Sequence, residues 1–367
     1  MNRLVLANLV HRPIRTLISV VAIALEVTLI LVIVGLSYGM LNDAKQRQAG
    51  IGADVIVQPP GSSFLQGATG APVPVRVADV IHKLPHVAVV APVIVQLNTA
   101  GAVEVLYGID LASFEALGGP FHYLSGGPFT GPDSILVDNY FADSNNVKVG
   151  STINLLNHDV TVAGIVEQGR GARKFLPMQT LQNWIGAQGK ASVFYVKLDD
   201  TNNAPLVVNE IKSVPGMQTY KALTMRDYLS LFTAGNLPGL KIFIEVVIGV
   251  AVVIGFIVIF QSMYTAIMER TREIGILKSL GASKFYIVNT VLRETILLAI
   301  AGSLLGIAVS FGVSHAILAK FPTLRVIIQD SWIGYAAIIA LAGAILGSLY
   351  PAYKAAQKDP IDALAYE

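Results

Sequence analysis

The chain has no cysteine, only two tryptophans and few charges: 14% of its 367 residues are Asp, Glu, Lys or Arg, against about 25% in water-soluble domains. Without cysteine there are no disulfides, thiolate metal sites or cysteine nucleophiles. The redox compartment stays open, because an exported domain can do without disulfides. Also missing is any G-x-x-x-x-G-K-S/T phosphate-binding loop. The six histidines (His11, His82, His86, His122, His158 and His315) are scattered. Only His82 and His86 have i,i+4 spacing, and Pro85 breaks the helix that would align them, so no metal site is expected. No acidic pair or Ser/His set has catalytic spacing, and no catalytic residue is assigned. A net charge of +2 gives no reason to expect a nucleic-acid partner.

What the chain has in excess is apolar residues, 53% of the total. A bilayer core needs about 20 mostly apolar helical residues. The long gaps between charges show where these lie. One runs from Arg15 to Asp43, broken only by Glu26. A second runs from Lys241 to Glu269, broken only by Glu245. A third runs from Glu294 to Lys320, its helix starting near Phe285, and a fourth from Asp330 to Lys354. The first run is too long for a signal-peptide core and lacks a convincing cleavage site. Four spans put both termini on one side. Arg3, Arg12, Arg15, Arg270, Arg272, Lys278, Lys284, Lys354 and Lys358 flank that side, against Lys320 and Arg325 on the other. The positive-inside rule therefore places the termini and the 269–284 loop in the cytoplasm.

The expected fold class is membrane α-helical, with four transmembrane helices, plus an α+β extracytoplasmic domain carrying an inserted mainly-β subdomain. The expected boundaries are an amphipathic surface helix over 1–16, spans over 17–41, 241–268, 285–319 and 331–350, a cytoplasmic loop over 269–284 and a cytoplasmic tail over 351–367. The extracytoplasmic domain is read over 42–238. Its outer α/β parts are 50–111 and 190–222. Ile81-x-x-Leu84-Pro85-x-Val87 matches Ile211-x-x-Val214-Pro215-x-Met217, which suggests a split β-α-β layer; helix–Pro–strand junctions are also common by themselves. Met217–Tyr220 reads as a strand. The inserted β-rich part is 112–188, with a hairpin turn at Asn157–His158 and a basic tip or solvated loop at Arg170, Arg173 and Lys174.

The 269–284 loop is the most informative segment. Ile274, Ile276, Leu277 and Leu280 give an apolar side, Arg270, Arg272, Glu273 and Lys278 a charged one, and Gly281 suits a helix C-terminus. Such a helix either lies on the lipid surface or fits a groove on a cytoplasmic partner.

Here the sequence resembles the FtsX/MacB-like permease family, the membrane subunits of type VII ABC systems. ERTREIGILKSLGAS, from Glu269, looks like that family's loop between the second and third spans. LRETILLAIAGSLLGI is similar to its third span, with Glu294 at the usual acidic place. PAYKAAQKDPIDALAYE resembles its C-terminus, and VKVGSTINLLNHDVTVAGIVE a hairpin of its exported domain. The resemblance implies two copies of a separate ABC ATPase subunit as partners, with ATP and Mg bound there and no cofactor in this chain. It implies a second permease copy, as a homodimer or a related heterodimer, in contact with membrane lipid, and it admits a periplasmic adaptor. It makes Glu269, Arg270, Arg272, Glu273, Ile274, Gly275, Leu277, Lys278, Gly281 and Ala282 the coupling residues. With no nucleotide-binding domain read in these residues, the resemblance is expected to be to the separate-subunit branch (haem-exporter, DevC-like and lipoprotein-release permeases) in a cell inner membrane. Leu124-Ser125-Gly126-Gly127 spells the core of the ABC ATPase signature, but without a phosphate-binding loop it reads as a Gly-rich turn.

Two functions fit this resemblance. One is export or extrusion of a hydrophobic or amphiphilic substrate; the other is FtsX-like mechanotransmission to an extracytoplasmic partner without cargo. Glu26, Glu245 and Glu294 are candidates for an intramembrane polar path. The alternative for a charged residue in a span is a structural pair with a neighbouring helix. Gly302, Gly306, Gly343 and Gly347 form small-xxx-small patterns suited to helix packing, within one chain or across a dimer.

Overall fold

The computed structural model describes residues 13–62, 71–98, 104–237, 239–321 and 323–357. The expected surface helix over 1–16 and the tail over 351–367 therefore lie largely outside the described residues. The chain divides into two compact units. One is a sheet domain of Met40–Pro238 with Lys320–Thr323; the other is a helical unit formed by the rest.

Helix α1 (Pro13–Ala49) continues well past residue 41. Pro13 is tolerated in its first turn, where its missing N–H costs nothing. No glycine or proline interrupts the run from Leu41 to Ala49, and an i,i+4 ion pair between Asp43 and Arg47 supports it. Its last turns, from Met40, belong to the sheet domain.

The sheet domain then runs β1 (Val55–Gln58), β2 (Val73–Pro74), α2 (Val77–His82), β3 (Val87–Asn98), β4 (Glu104–Ile109), α3 (Leu111–Gly118), β5 (Tyr123–Gly126), β6 (Ser134–Asp138), α4 (Asn139–Asn145), β7 (Thr152–Leu155), β8 (His158–Val166), β9 (Lys174–Pro177), α5 (Met178–Trp184), β10 (Lys190–Ala191), β11 (Val193–Leu198), α6 (Ala204–Ser213), β12 (Lys221–Thr224) and α7 (Met225–Ser230). Ten strands form one sheet in the order β12-β1-β11-β3-β4-β9-β6-β8-β5, with β7 also on β8. Neighbours among the first four are antiparallel, so that β11 and β12 run parallel on either side of β1, with α2 leading into β3 and α6 joining β11 to β12. This is the split β-α-β layer that the two matching helix ends suggested.

The inserted segment 112–188 does not build a sheet of its own. Strand β9 lies parallel to β4 and antiparallel to β6, so the insertion extends the outer layer instead of leaving its edge unpaired. Alternate residues point to opposite faces. Val55, Val57, Phe194 and Val196 face a core closed by Ile81 of α2, Leu181 of α5 and Ile211 of α6. Ile56, Val193 and Tyr195 face another, closed by Phe114 of α3 and Tyr228 of α7.

Three local expectations change. The hairpin turn is Leu156–Asn157, both at positive φ (50° and 65°), and Leu155 pairs with His158. A two-residue I′ turn requires positive φ at both central positions, which moves the turn one residue earlier. Met217–Tyr220 is a turn rather than a strand, because Pro215-Gly216 reverses the chain and Met217 N and Tyr220 N bond three residues back. Tyr123–Gly126, expected within a Gly-rich turn, is an edge strand ending at Gly126.

The basic residues at 170–174 are tied down. Arg170 donates to Gly119 O and Gly118 O at 2.6 and 2.7 Å, closing the carbonyl end of α3. Lys174 is buried, paired with Glu104 and 3.9 Å from the centre of the Phe141 ring.

The helical unit is completed by α8 (Leu240–Glu269), α9 (Thr271–Ser279), α10 (Lys284–Lys320) and α11 (Asp330–Gln357). With α1, the helices α8, α10 and α11 are long and apolar enough to cross a membrane. Helix α11 does not stop at 350: it passes through Pro351 to Gln357.

Gly302 and Gly306 pack α10 on α1. A Cβ on Gly302 would lie 2.6 Å from Ile23 Cβ, and one on Gly306 2.6 Å from Ala24 O. Thr28 donates to Gly306 O at 3.0 Å. Gly347 packs α11 on α8, 2.9 Å from Phe256 O by the same measure. These contacts lie within one chain. A further small-xxx-small pair on α1, Gly35 and Gly39, receives the extended segment before α11 instead of a helix: Ile327 N donates to Gly35 O at 2.9 Å.

Candidate functional site

Helix α9 is set between α8 and α10 by its own ends. Arg270 breaks the helical run between α8 and α9. At the other end Gly281 has φ 94°, Gly281 N bonds Lys278 O, and Ala282 N bonds Leu277 O at 2.9 Å. This is a Schellman stop, which needs a left-handed residue. Ser283 then caps α10, accepting from Tyr286 N at 3.2 Å.

The two sides of α9 differ from the sequence expectation. Gly275 is buried and Ile274 and Leu277 are half-buried, while Ile276 and Leu280, expected on the same apolar side, are exposed. Leu280 is 80% exposed and neighbouring Phe285 78%. Arg272 and Glu273 are exposed beside them, and Ala282 is half-buried. Two of the expected charged residues turn inward: Lys278 Nζ donates to Ala356 O, near the end of α11, at 3.0 Å, a favourable place for a cation. Arg270 goes to Glu294.

Glu294, on α10, is buried. Arg15 Nη2 of α1 reaches its Oε1 at 3.0 Å, and Arg270 Nη1 its Oε2 at 3.0 Å. Arg15 also lies 3.9 Å from Glu269. Both oxygens of Glu294 are occupied by guanidinium groups, so the reading of Glu294 as a polar-path residue gives way to a structural one: it ties α1, α10 and the start of α9 together. The other two acids fall elsewhere. Glu245 is 62% exposed and lies 3.7 Å from Lys241, one turn before it on α8. Glu26 is buried in α1, against the bare Cα of Gly255 on α8, and a Cβ on Gly343 of α11 would stand 3.9 Å from its Oε1. Among the described residues Glu26 Oε1 has no hydrogen-bond partner. The room for this carboxylate comes from two glycines on two other helices.

Within the sheet domain, the end of α1 is held by residues of which the sequence singled out only Arg173, and that as part of a basic tip. Arg173 Nη2 donates to Asp43 at 2.9 Å and its Nη1 to Asp138 at 3.0 Å. Asp138 also caps α4, accepting from Phe141 N at 2.7 Å. Arg47 Nε donates to Gly171 O and receives Gly171 N at its own carbonyl. Gln48 Nε2 donates to Tyr107 Oη, and Tyr195 Oη donates to Gln48 Oε1; the two hydroxyls meet at 3.0 Å. Each member of that ring can donate once and accept once. Burial pushes both tyrosines above the usual phenol range and the Asp138 carboxyl above the usual carboxylate range. Apart from the basic cluster that holds Arg173, the sequence signal was a run of charged and amide side chains continuing a hydrophobic helix.

Four long apolar helices, with a large mixed-sheet domain between the first and second, define a polytopic membrane protein. Two family models match: the MacB-like periplasmic core domain over residues 16–214, and the FtsX-like permease C-terminal region over 245–360. The chain belongs to the FtsX/MacB-like ABC transporter permease family, and its sheet domain is the periplasmic core that the family carries. It is 25% identical over 395 residues to the macrolide export ATP-binding/permease protein MacB of Neisseria meningitidis serogroup A, covering 98% of this chain and 60% of that protein. It is 40% identical over 124 residues to the ABC transporter permease YknZ of Bacillus subtilis, covering 32% of this chain and 30% of the relative. The solved periplasmic region of MacB from Actinobacillus actinomycetemcomitans aligns with a TM-score of 0.38 at 18% identity, over 49% of this chain and 92% of that one. The chain thus spans 60% of the length of the MacB relative that it matches end to end.

Proposed function

We propose that this chain is the membrane subunit through which a separate ABC ATPase, with ATP and Mg bound there, drives movement of the extracytoplasmic domain to export or extrude a hydrophobic or amphiphilic substrate. The MacB relative is named for macrolide export, a cargo of that type. The observation that carries the reading is α9. It is held from inside by Lys278–Ala356 and by Arg270–Glu294–Arg15, while Ile276, Leu280 and Phe285 remain exposed beside Arg272 and Glu273. A rigid helix with an apolar knob rimmed by charge fits a groove on a partner. In this reading the termini and α9 are cytoplasmic, supported by the Lys/Arg bias. The assembly holds two ATPase subunits and two permease copies in a cell inner membrane, and the sheet domain is where an adaptor would dock. The same chain of contacts would serve FtsX-like mechanotransmission, in which the moving domain activates a partner and carries no cargo.

The test is co-purification with the cognate ABC ATPase, followed by ATP hydrolysis measured against a panel of amphiphiles. Leu280→Asp changes an exposed side chain, so thermal stability should stay within about 0.5 kcal/mol while recovery of the ATPase falls at least tenfold. Unchanged recovery would remove α9 from the coupling role. Amphiphile-independent hydrolysis that still changes the accessibility of the sheet domain would favour the signalling reading.

A further inference from the structure

The permease reading requires that displacement on the α9 side reach the sheet domain, and two chain connections flank its main segment, Met40–Pro238. They differ. Helix α1 enters the domain without a break, and its residues 40–49 are part of the domain's compact unit. The return connection passes through a short 3-10 turn (Ala234–Asn236) and then Gly239, whose φ of 82° ends any helical continuity before α8 begins.

The end of α1 is held by side chains on successive turns. Asp43 meets Arg173, Arg47 exchanges two hydrogen bonds with Gly171, and Gln48 closes the ring with Tyr107 and Tyr195. Close backbone approach adds to this: a Cβ on Gly50 would collide with Gly169 O. The partners lie in the body of the sheet. Tyr107 is in β4 and Tyr195 in β11, both fully enclosed, and Asp138 sits at the end of β6 and caps α4. Arg173 is the only side chain in this set that joins an α1 carboxylate to a sheet carboxylate, one on each arm of its fork. Such a bidentate bridge resists both translation and rotation of the helix, which a single-point contact does not.

We infer that Arg173 is the positioning residue through which displacement of α1 is passed to the sheet, so that the domain moves with α1 while the Gly239 connection yields. This inference rests on the permease reading above. It assigns the Asp43–Arg173–Asp138 bridge a mechanical role beyond stabilising the domain.

The experiment uses the full chain with its ABC ATPase in lipid nanodiscs, followed by hydrogen exchange with and without ATP and Mg. In the wild type, nucleotide should change exchange in α9, in residues 40–49 and in β4 and β9. In Arg173→Gln, exchange at 40–49 should quicken roughly tenfold or more. The nucleotide response of β4 and β9 should vanish, while ATP hydrolysis and the response of α9 persist. Asp43→Asn leaves Arg173–Asp138 in place, so the domain stays folded, and it should reproduce the same uncoupling. Arg173→Lys, a cation without the fork, should restore part of the response. Persistence of the β4 and β9 response in both Arg173→Gln and Asp43→Asn would overturn the inference, as would a Lys variant no better than Gln. Absence of any nucleotide response in wild-type α9 would instead overturn the permease reading, and the inference with it.

Discussion

Arg270 Nη1 lies 3.0 Å from Glu294 Oε2, the distance at which Arg15 holds the other oxygen of the same carboxylate. The site is nearly closed to solvent, so each charge depends on the others for the solvation it has lost. Glu294→Ala removes the shared acceptor from two guanidinium groups. The expected cost is about 3–5 kcal/mol, read as a lower unfolding midpoint in detergent, with loss of ATPase recovery. A change under about 1 kcal/mol would mean that the triad behaves as a surface pair.

Gly255 and Glu26 share one volume. Gly255→Ala places a methyl group where the carboxylate lies, and overpacking of this kind costs about 1–3 kcal/mol. In a Glu26→Ala background the same substitution should cost less, with a coupling of about 1 kcal/mol or more. A double-mutant cycle on thermal or denaturant unfolding measures it. Strict additivity would show that the two groups do not compete for space.

The Gln48–Tyr107–Tyr195 ring should behave as a unit. Tyr195→Phe leaves Gln48 Oε1 without its donor, for a loss of about 1–3 kcal/mol. Adding Gln48→Leu should then cost less than it does alone, because the orphaned amide oxygen goes with it. Denaturant midpoints of the full chain decide between this and independent contributions.

Lys174 gives the sheet domain a pH dependence of defined sign. Burial pulls its ammonium below the usual lysine value of 10.5, and Glu104 opposes this only in part. A depressed lysine contributes stability that is present above the unfolded value and lost as pH falls through the folded one. Stability should therefore rise with pH through this group as pH climbs from the lowered folded value towards 10.5, and Lys174→Met should flatten that rise. Equal slopes in both proteins, from denaturant midpoints across the range, would contradict the assignment.

Hydropathy and charge gaps were legible because a bilayer leaves few choices. A helix that crosses it must be long and apolar, and α1, α8, α10 and α11 announce themselves one segment at a time. The split β-α-β layer was legible through the matching helix ends at Ile81–Val87 and Ile211–Met217. Helix ends past a charge were less so. Residues 42–49 lie beyond the span expected from hydropathy, yet stay helical because the sheet domain supplies partners for Asp43, Arg47 and Gln48.

By itself, the sequence determined which segments are apolar enough to span, where α9 stops, and which family the chain resembles, since these depend on neighbours within a few turns. Only the tertiary structure decided what each charge does. Glu26, Glu245 and Glu294 are equivalent as acids in apolar runs. One fits a niche of two glycines, one is exposed beside a lysine, and one is gripped by two arginines. Arg173 in turn looked like part of a basic tip and proved to be a bridge. The physical reason is that the free energy of a charge depends on which groups replace its water, and those groups come from positions far away along the chain.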